Sequence, residues 1–331
     1  MKEKTLQKEN MFLSPFAVKS CDTVGRLREE EPCPMRTDFQ RDRDRIIHCK
    51  AFRRLKNKTQ VFFSPEGDHY RTRLTHTLAV SQVARGIARA LSLNEDLTEA
   101  IALGHDLGHT PFGHSGERIL NKLNPKGFEH NLQSGRVVDF LENDGAGLNL
   151  TREVVDGIIN HKMKCSPKTL EGKAVSLADR IAYINHDIDD AIKGGFITIE
   201  DIPKDIVDVL GKTSRQRINT MLISIYNCSD GKNKVEMEPH IAKATNELRN
   251  FMFSRVYNDK TFRIEEEKAD RMITALYEHY MRLPEALPVF YLKRLESDDV
   301  HTVISDYISG MSDMYAVKTF SDIFIPKNWK L

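Results

Sequence analysis

Long hydrophobic runs are missing from this 331-residue chain: no apolar stretch approaches the ~18 residues of a membrane-spanning helix. Excess charge of one sign is missing too. Lys+Arg number 49 and Asp+Glu 48, a net charge of +1, so bulk electrostatics give no reason to expect nucleic acid or an anionic membrane as the main partner. The first residues, MKEKTLQKENMFLSPF, are too polar and too mixed in sign for a secretory signal, and the expected compartment is the cytoplasm. Cysteine is sparse. Cys21, Cys33, Cys49, Cys165 and Cys228 form no C-x-x-C pair, which argues against a disulfide framework or a thiolate zinc site. Repeats, low-complexity tracts and sustained period-two alternation are also lacking.

What is present is core material and helical periodicity. Apolar residues make up 40% of the chain, enough for one large domain with an appendage or two packed lobes. From Arg71 to Leu93, Leu74, Leu78, Val80, Val83, Ile87 and Leu91 recur mostly at spacings of three and four, predicting a helix. Asn94-Glu95-Asp96 reads as an N-cap and acidic first turn of a second helix running through Leu97, Ile101 and His105, with Gly108 and Pro111 closing it. Further helices are expected from near Ser115, over Lys173–Ile192 up to Gly194-Gly195, over Lys268–Arg282 and around Val303–Met311. Lys58–Phe63 could be a short strand or a turn. The fold class that follows is all-α. Glu29–Pro34 reads as a loop and Asn227–Met237 as a connection, which divides the chain into residues 1–35, 36–226 and 227–331. The nine Lys or Arg residues of Arg36–Lys58 are interleaved with Asp38, Asp42 and Asp44, as on a solvated helix face.

Histidine placement carries the chemistry. Seven of the twelve histidines fall between His69 and His161, and the densest part is the run GHDLGHTPFGHSGE, residues 104–117. His105, His109 and His114 with Asp106 and Glu117 give three imidazoles and two carboxylates within thirteen residues. That mixture of borderline nitrogen and hard oxygen donors suits Mn²⁺, Fe²⁺, Co²⁺, Zn²⁺ or Mg²⁺. A His-Asp dipeptide alone says little, since another occurs at His186-Asp187. His76 stands in line with Val80, Val83 and Ile87, where a histidine is ordinarily a satisfied core residue. Asp179, Tyr183 and Asp187 lie four apart on one side of a helix, a stripe that amphipathicity alone would explain.

Taken together these residues resemble the HD-domain metal phosphohydrolases, whose pattern is H…HD…D. The segments FRRLKNKTQVFFSPEGDHYRTRLTHT, HDLGHTPFGHSGE, FEHNLQSGRV, LADRIAYINHDIDDA and DYISGMSDMYA are similar to the deoxyguanosine triphosphate triphosphohydrolase family in its compact bacterial branch, from about Phe12 to Phe324. The resemblance implies an HD-domain helical core over residues 36–226 with additional C-terminal helices packed on it. It implies one divalent cation, Mn²⁺, Mg²⁺, Fe²⁺ or Co²⁺, held by His76, His105, Asp106 and Asp179. It implies hydrolysis of dNTPs, dGTP among them, at the α-phosphorus to a deoxynucleoside and tripolyphosphate. His114 matches the family's catalytic histidine, Glu117 the carboxylate that orients it, and His109 adds to the site. Arg73 and Arg180 match phosphate contacts, Tyr183 a residue that leaves no room for a 2′-hydroxyl, and Gln60 and Asp187 a pair that binds the 3′-hydroxyl. His130, in FEHN, belongs near the substrate. A dNTP substrate, a nucleotide activator and a homo-oligomer are the implied partners. Two other readings stand beside this one: a 5′-nucleotidase or a cyclic- or alarmone-nucleotide hydrolase, and a non-catalytic nucleotide-binding regulator.

Overall fold

The computed structural model describes residues 1–60, 71–257 and 260–327. Among them the chain is helical, and its β-structure is confined to two isolated bridges, Arg26 with Thr151 and Thr59 with Thr72. The all-α expectation therefore holds. No described helix is long and apolar enough to cross a membrane. The chain forms two compact units, each assembled from separated segments. One comprises Met1–Cys49, Thr75–His105 and Leu148–Asp259, the other Lys50–Leu74, Asp106–Gly147 and Lys260–Leu331. The division falls on the peptide bond between His105 and Asp106.

In the first unit, the helix Asp38–His48 begins with a capping box in which Thr37 and Gln40 satisfy each other's backbone N–H groups. It buries Phe39 and Ile46 against the helix Glu95–Gly104, whose Leu97 and Ile101 are fully buried. Burial of each such side chain is worth about 1.5–3 kcal/mol. Asn94 caps that second helix as the sequence predicts, accepting from the N–H groups of Asp96 and Leu97 at 3.1 and 3.2 Å. Two glycines let Glu95–Gly104 approach Arg152–Ile159 closely. A methyl on Gly104 would lie 2.4 Å from Ile158 Cδ1, and one on Gly157 would lie 2.5 Å from Ile101 Cδ1. This reciprocal contact brings the C-terminal ends of the two helices together. The long helix Leu170–Lys193 packs on both of them and on Ser214–Ser229 and Pro239–Met252.

The basic stretch predicted as a solvated face is a network of ion pairs. Arg41 and Arg45 meet Glu30 at 3.0 and 2.7 Å, Arg43 meets Asp44 and Glu99, and Arg26 meets Asp42. Glu29–Pro34 is irregular backbone, as expected, and is anchored through Glu30.

In the second unit, the helix Lys260–Arg282 packs against Gly113–Leu123, Val300–Ser309 and Asp313–Phe324 around Leu120, Ile273, Leu276, Val303, Ile304 and Ile308, all fully buried. It starts eight residues before the predicted Lys268, because Arg263–Lys268 lie largely in solvent and carry no apolar period. Pairs such as Lys268 with Glu265 and Arg271 with Glu267 support it there. Lys58 is buried, and Thr59 makes the bridge to Thr72, while Val61–Phe63 lie outside the described residues.

Candidate functional site

The first unit supplies a cluster of imidazoles around one carboxylate. His105 caps the C-terminus of Glu95–Gly104, and its Nδ1 lies 2.7 Å from the Ala102 carbonyl. A carbonyl only accepts, so Nδ1–H is the donor there and Nε2 is the nitrogen turned toward the cluster. That nitrogen lies 3.8 Å from Asp179 Oδ1, and Nε2 of His76 lies 3.1 Å from the same oxygen. His76 and His105 are both 1% exposed, with ring centroids 5.8 Å apart. Burial opposes ionisation of Asp179, but the hydrogen bond with His76 and the fields of His105, His76 and His161 outweigh it and bring its pKa down to about 2. Three donors of mixed N and O type thus converge, and such a set fits a divalent cation. Asp106 is the next residue of the chain after His105.

Two further histidines stand beside this cluster, and the sequence analysis did not single them out. His161 follows the helix Arg152–Ile159 as His105 follows its own helix, with Nδ1 2.7 Å from the Ile158 carbonyl and its ring centroid 5.0 Å from that of His105. The ring of His186 is 5.9 Å from that of His76. His161 stands two residues past the end of an apolar helix and outside the dense histidine run, so its sequence carries no comparable signal.

One and two turns beyond Asp179 come the residues predicted to hold substrate. The hydroxyl of Tyr183 accepts from Arg249 Nε at 3.0 Å, and the Arg249 guanidinium lies 4.5 Å over the Phe253 ring. Arg180 donates to Asn246 Oδ1, and Asp187, 2% exposed, accepts from the hydroxyl of Tyr257. Burial and the Asp187 charge hold the Tyr257 phenol well above its usual pKa. Arg249, Asn246 and Tyr257 lie outside the motifs of the sequence, so only the folded chain reveals them.

The second unit gathers His109, His114 and His130 around Glu117. His130 Nδ1 lies 2.9 and 3.0 Å from the two carboxylate oxygens, its backbone N–H donates at 3.0 Å, and His114 Nδ1 lies 3.3 Å away. Glu117 therefore bonds more tightly to His130 than to the His114 it was expected to orient. Burial raises its pKa, but the bonds from His114 and His130 prevail and hold it far below the usual carboxylate range. The ring of His109 stacks on that of His130 at 4.4 Å and lies 5.3 Å from that of His114. Burial, and after it the Arg73 charge, press its pKa well down, so it is neutral at pH 7. Arg73, 2% exposed, donates from Nη1 to Asp106 Oδ2 at 2.7 Å and from Nη2 to the Gln60 carbonyl at 3.2 Å. Asp106, His109 and His130 each offer a ligand atom within 4.8 Å of the others, as do His109, His114 and Glu117. His114 itself is open to solvent, with 73% of its side chain exposed, where it can reach a ligand.

The loop bearing these groups is strained at one point. Phe112 adopts φ +60°, a left-handed conformation costing a non-glycine residue about 1–3 kcal/mol, which persists at functional sites when the surroundings enforce it. The enforcement is visible. Thr110 Oγ1 donates to the Gly113 carbonyl at 2.8 Å, and the Phe112 N–H donates to Asp313 Oδ1 at 3.0 Å.

Comparison with known proteins places the chain in context. The HD domain matches residues 73–184, and the phosphohydrolase-associated domain matches residues 235–322. A deoxyguanosinetriphosphate triphosphohydrolase-like protein of Caldanaerobacter subterraneus is 56% identical over 329 residues, 99% of this chain and 97% of the relative. One from Clostridium tetani is 46% identical over 330 residues, 96% of this chain and 95% of the relative. Among solved structures, a phosphohydrolase of Bacteroides thetaiotaomicron shares the fold with TM-score 0.54 at 18% identity, over 84% of this chain and 68% of that one.

Proposed function

The chain belongs to the deoxyguanosinetriphosphate triphosphohydrolase-like family of HD-domain phosphohydrolases, and on that premise we propose that it hydrolyses dNTPs, dGTP included, to the deoxynucleoside and inorganic tripolyphosphate. The observation that carries this reading is the Asp179 carboxylate facing Nε2 of both His76 and His105, with the His105 Nδ1–H donating to the Ala102 carbonyl. With Asp106, these side chains form the H…HD…D ligand set for one divalent cation, Mn²⁺, Mg²⁺, Fe²⁺ or Co²⁺. When bound, such an ion lowers the pKa of a water and offsets charge on a phosphoryl oxygen.

The chain's own groups then have separate tasks. His114 gives a proton to the departing 5′-oxygen, and ionised Glu117, on its Nδ1 side, stabilises the imidazolium that does so. His130 shares Glu117 and contacts substrate, while neutral His109 meets the phosphates as a hydrogen-bonding group. Arg73 and Arg180 neutralise phosphate charge. Tyr183, held by Arg249, presents its ring to the sugar, and Gln60 and Asp187 bind the 3′-hydroxyl. Asp187 exchanges its Tyr257 partner for that hydroxyl. The reading extends to a cytoplasmic homo-oligomer responding to a nucleotide activator, with an HD core over residues 36–226 and an appended helical region over 227–331.

The test is product analysis. Each dNTP, alone and in pairs, is incubated with Mn²⁺ or Mg²⁺ and followed by phosphorus NMR. Stoichiometric tripolyphosphate is expected. Orthophosphate or pyrophosphate would assign the chain to another HD phosphohydrolase chemistry, and no turnover with any dNTP would favour a binding regulator.

A further inference from the structure

The second unit contains a cavity of about 200 Å³ whose lining includes Lys50, Arg54, Lys58, Tyr291, Ser309 and Gly310. Its charges do not balance pairwise. Glu142, also in the lining, is consumed by the backbone N–H groups of Lys50 and Ala51, which it accepts at 2.9 and 2.7 Å. Asp306 is taken by Arg136 at 2.8 Å and by Gln133 at 2.9 Å, and Asp144 by Lys50 at 3.3 Å. Arg54 and Lys58 are left, and neither makes an ion pair among the described residues. Lys58 is the more unusual, because it is 2% exposed and, among the described residues, donates to the carbonyls of His109 and Ser309 alone. A buried ammonium without a carboxylate is costly, and a neighbouring guanidinium raises that cost. Burial first, and the Arg54 charge next, push the Lys58 pKa down to about 7.

The remaining donors converge on one wall. A methyl built on Gly310 would lie 3.3 Å from the Tyr291 hydroxyl and 3.4 Å from Arg54 Nη1, so both atoms border the space that the glycine leaves open. Tyr291 is itself pushed up to about 12, chiefly by burial, so it offers a hydroxyl donor at any physiological pH. A planar guanidinium fork, a lysine amine and a phenol are donors that tetrahedral oxyanions take. The volume lies below the ~300 Å³ at which pockets for drug-sized ligands begin, too small for a whole nucleoside triphosphate. We propose that this cavity is a binding site for a phosphate oxyanion, separate from the histidine cluster and held by Arg54, Lys58 and the Tyr291 hydroxyl. Because Lys58 also holds the His109 carbonyl, and Leu107 and Gly108 line the same cavity, occupancy braces the HDLGH segment from behind.

The experiment is calorimetric titration of the metal-loaded, full-length chain with inorganic orthophosphate at constant ionic strength. It is repeated on Arg54→Ala, which removes the fork, and on Gly310→Ala, whose backbone conformation suits alanine and whose methyl crowds both donors. Two classes of phosphate site are expected in the unaltered chain. Each variant should weaken one class by about tenfold or more, the value of a charge-assisted pair, and leave the other class intact. dNTP turnover in phosphate-free buffer should stay within about twofold, a change worth less than 0.5 kcal/mol. Adenosine monophosphate titrated in parallel separates the sources. Arg54-dependent binding tighter than orthophosphate assigns the phosphoryl end of a nucleotide, and weaker binding assigns free phosphate. The proposal is overturned if phosphate binding is the same in all three proteins, or if Arg54→Ala loses phosphate affinity only in step with its turnover.

Discussion

The N–H of Phe112 donates to Asp313 Oδ1 at 3.0 Å across 201 positions of sequence, while Asp313 Oδ2 accepts from the N–H of Thr59 at 2.8 Å and from its hydroxyl. One carboxylate from the DYISGMSDMYA segment therefore fixes both the strained residue of the TPFGH loop and the segment leading to Gln60. Asp313→Ala would leave those donors unpaired, at a cost of about 1–3 kcal/mol. Thermal unfolding should register that loss, Asp313→Asn should fall between the two, and turnover should drop further than stability alone explains. A variant with wild-type turnover would show that the loop does not need this anchor.

Metal retention tests the first-unit cluster. His105→Ala and Asp179→Ala each remove a donor and leave the facing groups unsatisfied, so bound divalent metal should fall well below one equivalent in elemental analysis after dialysis. Full metal content in Asp179→Ala would refute the ligand assignment. His161→Ala is the graded case. Its imidazole lies beside His105 and its field helps ionise Asp179, so metal affinity should weaken by about 10–100-fold, the range for residues that support ligands.

The two partners of Glu117 should separate kinetically. His114→Ala should keep metal and dNTP affinity but lose ~10²–10⁴ in kcat, the size of a general-acid contribution. His130→Ala removes the stronger Glu117 bond and the stacking partner of His109, and should raise KM and lower stability as well. Equal kcat and KM effects in both variants would show that His114 has no proton-transfer role of its own.

Sugar selection is read from Tyr183. Replacing the ring in Tyr183→Ala should narrow the dNTP/rNTP preference in kcat/KM by at least tenfold, about 1.4 kcal/mol. Tyr183→Phe loses only the bond from Arg249 and should keep most of the preference. An unchanged ratio in folded, metal-loaded Tyr183→Ala would leave selection to other contacts.

Glu171 makes stability depend on pH. Fully buried, it accepts from the N–H groups of Val18 and Asn94 at 3.0 and 3.1 Å, and burial pushes its pKa up to about 7. Because the folded value lies above the unfolded one, the unfolded chain ionises first as pH rises. Stability should therefore fall between about pH 4.5 and 7, by up to about 3 kcal/mol. Glu171→Gln keeps an acceptor for both N–H groups and removes the ionisation. Its melting temperature relative to wild type should be more favourable at pH 8 than at pH 5, and a pH-independent difference would rule out Glu171 as the source.

The helices and the histidine-rich run were legible because they are local. Apolar spacing, the Asn94 cap and the clustering of His105, Asp106, His109, His114 and Glu117 within thirteen residues all lie within a few turns of chain. Family resemblance added His76 and Asp179, whose own surroundings suggest a core histidine and an exposed acid. Only the tertiary structure decided the pairings, because they join positions that no period relates: Asp179 with His76, Tyr183 with Arg249, Asp187 with Tyr257, Asp313 with Phe112. It also moved Glu117 mainly to His130 and placed His161 beside His105. Both outcomes depend on side-chain distances near 3 Å or on the glycine-mediated approach of two helices, which hydrophobic periodicity cannot encode.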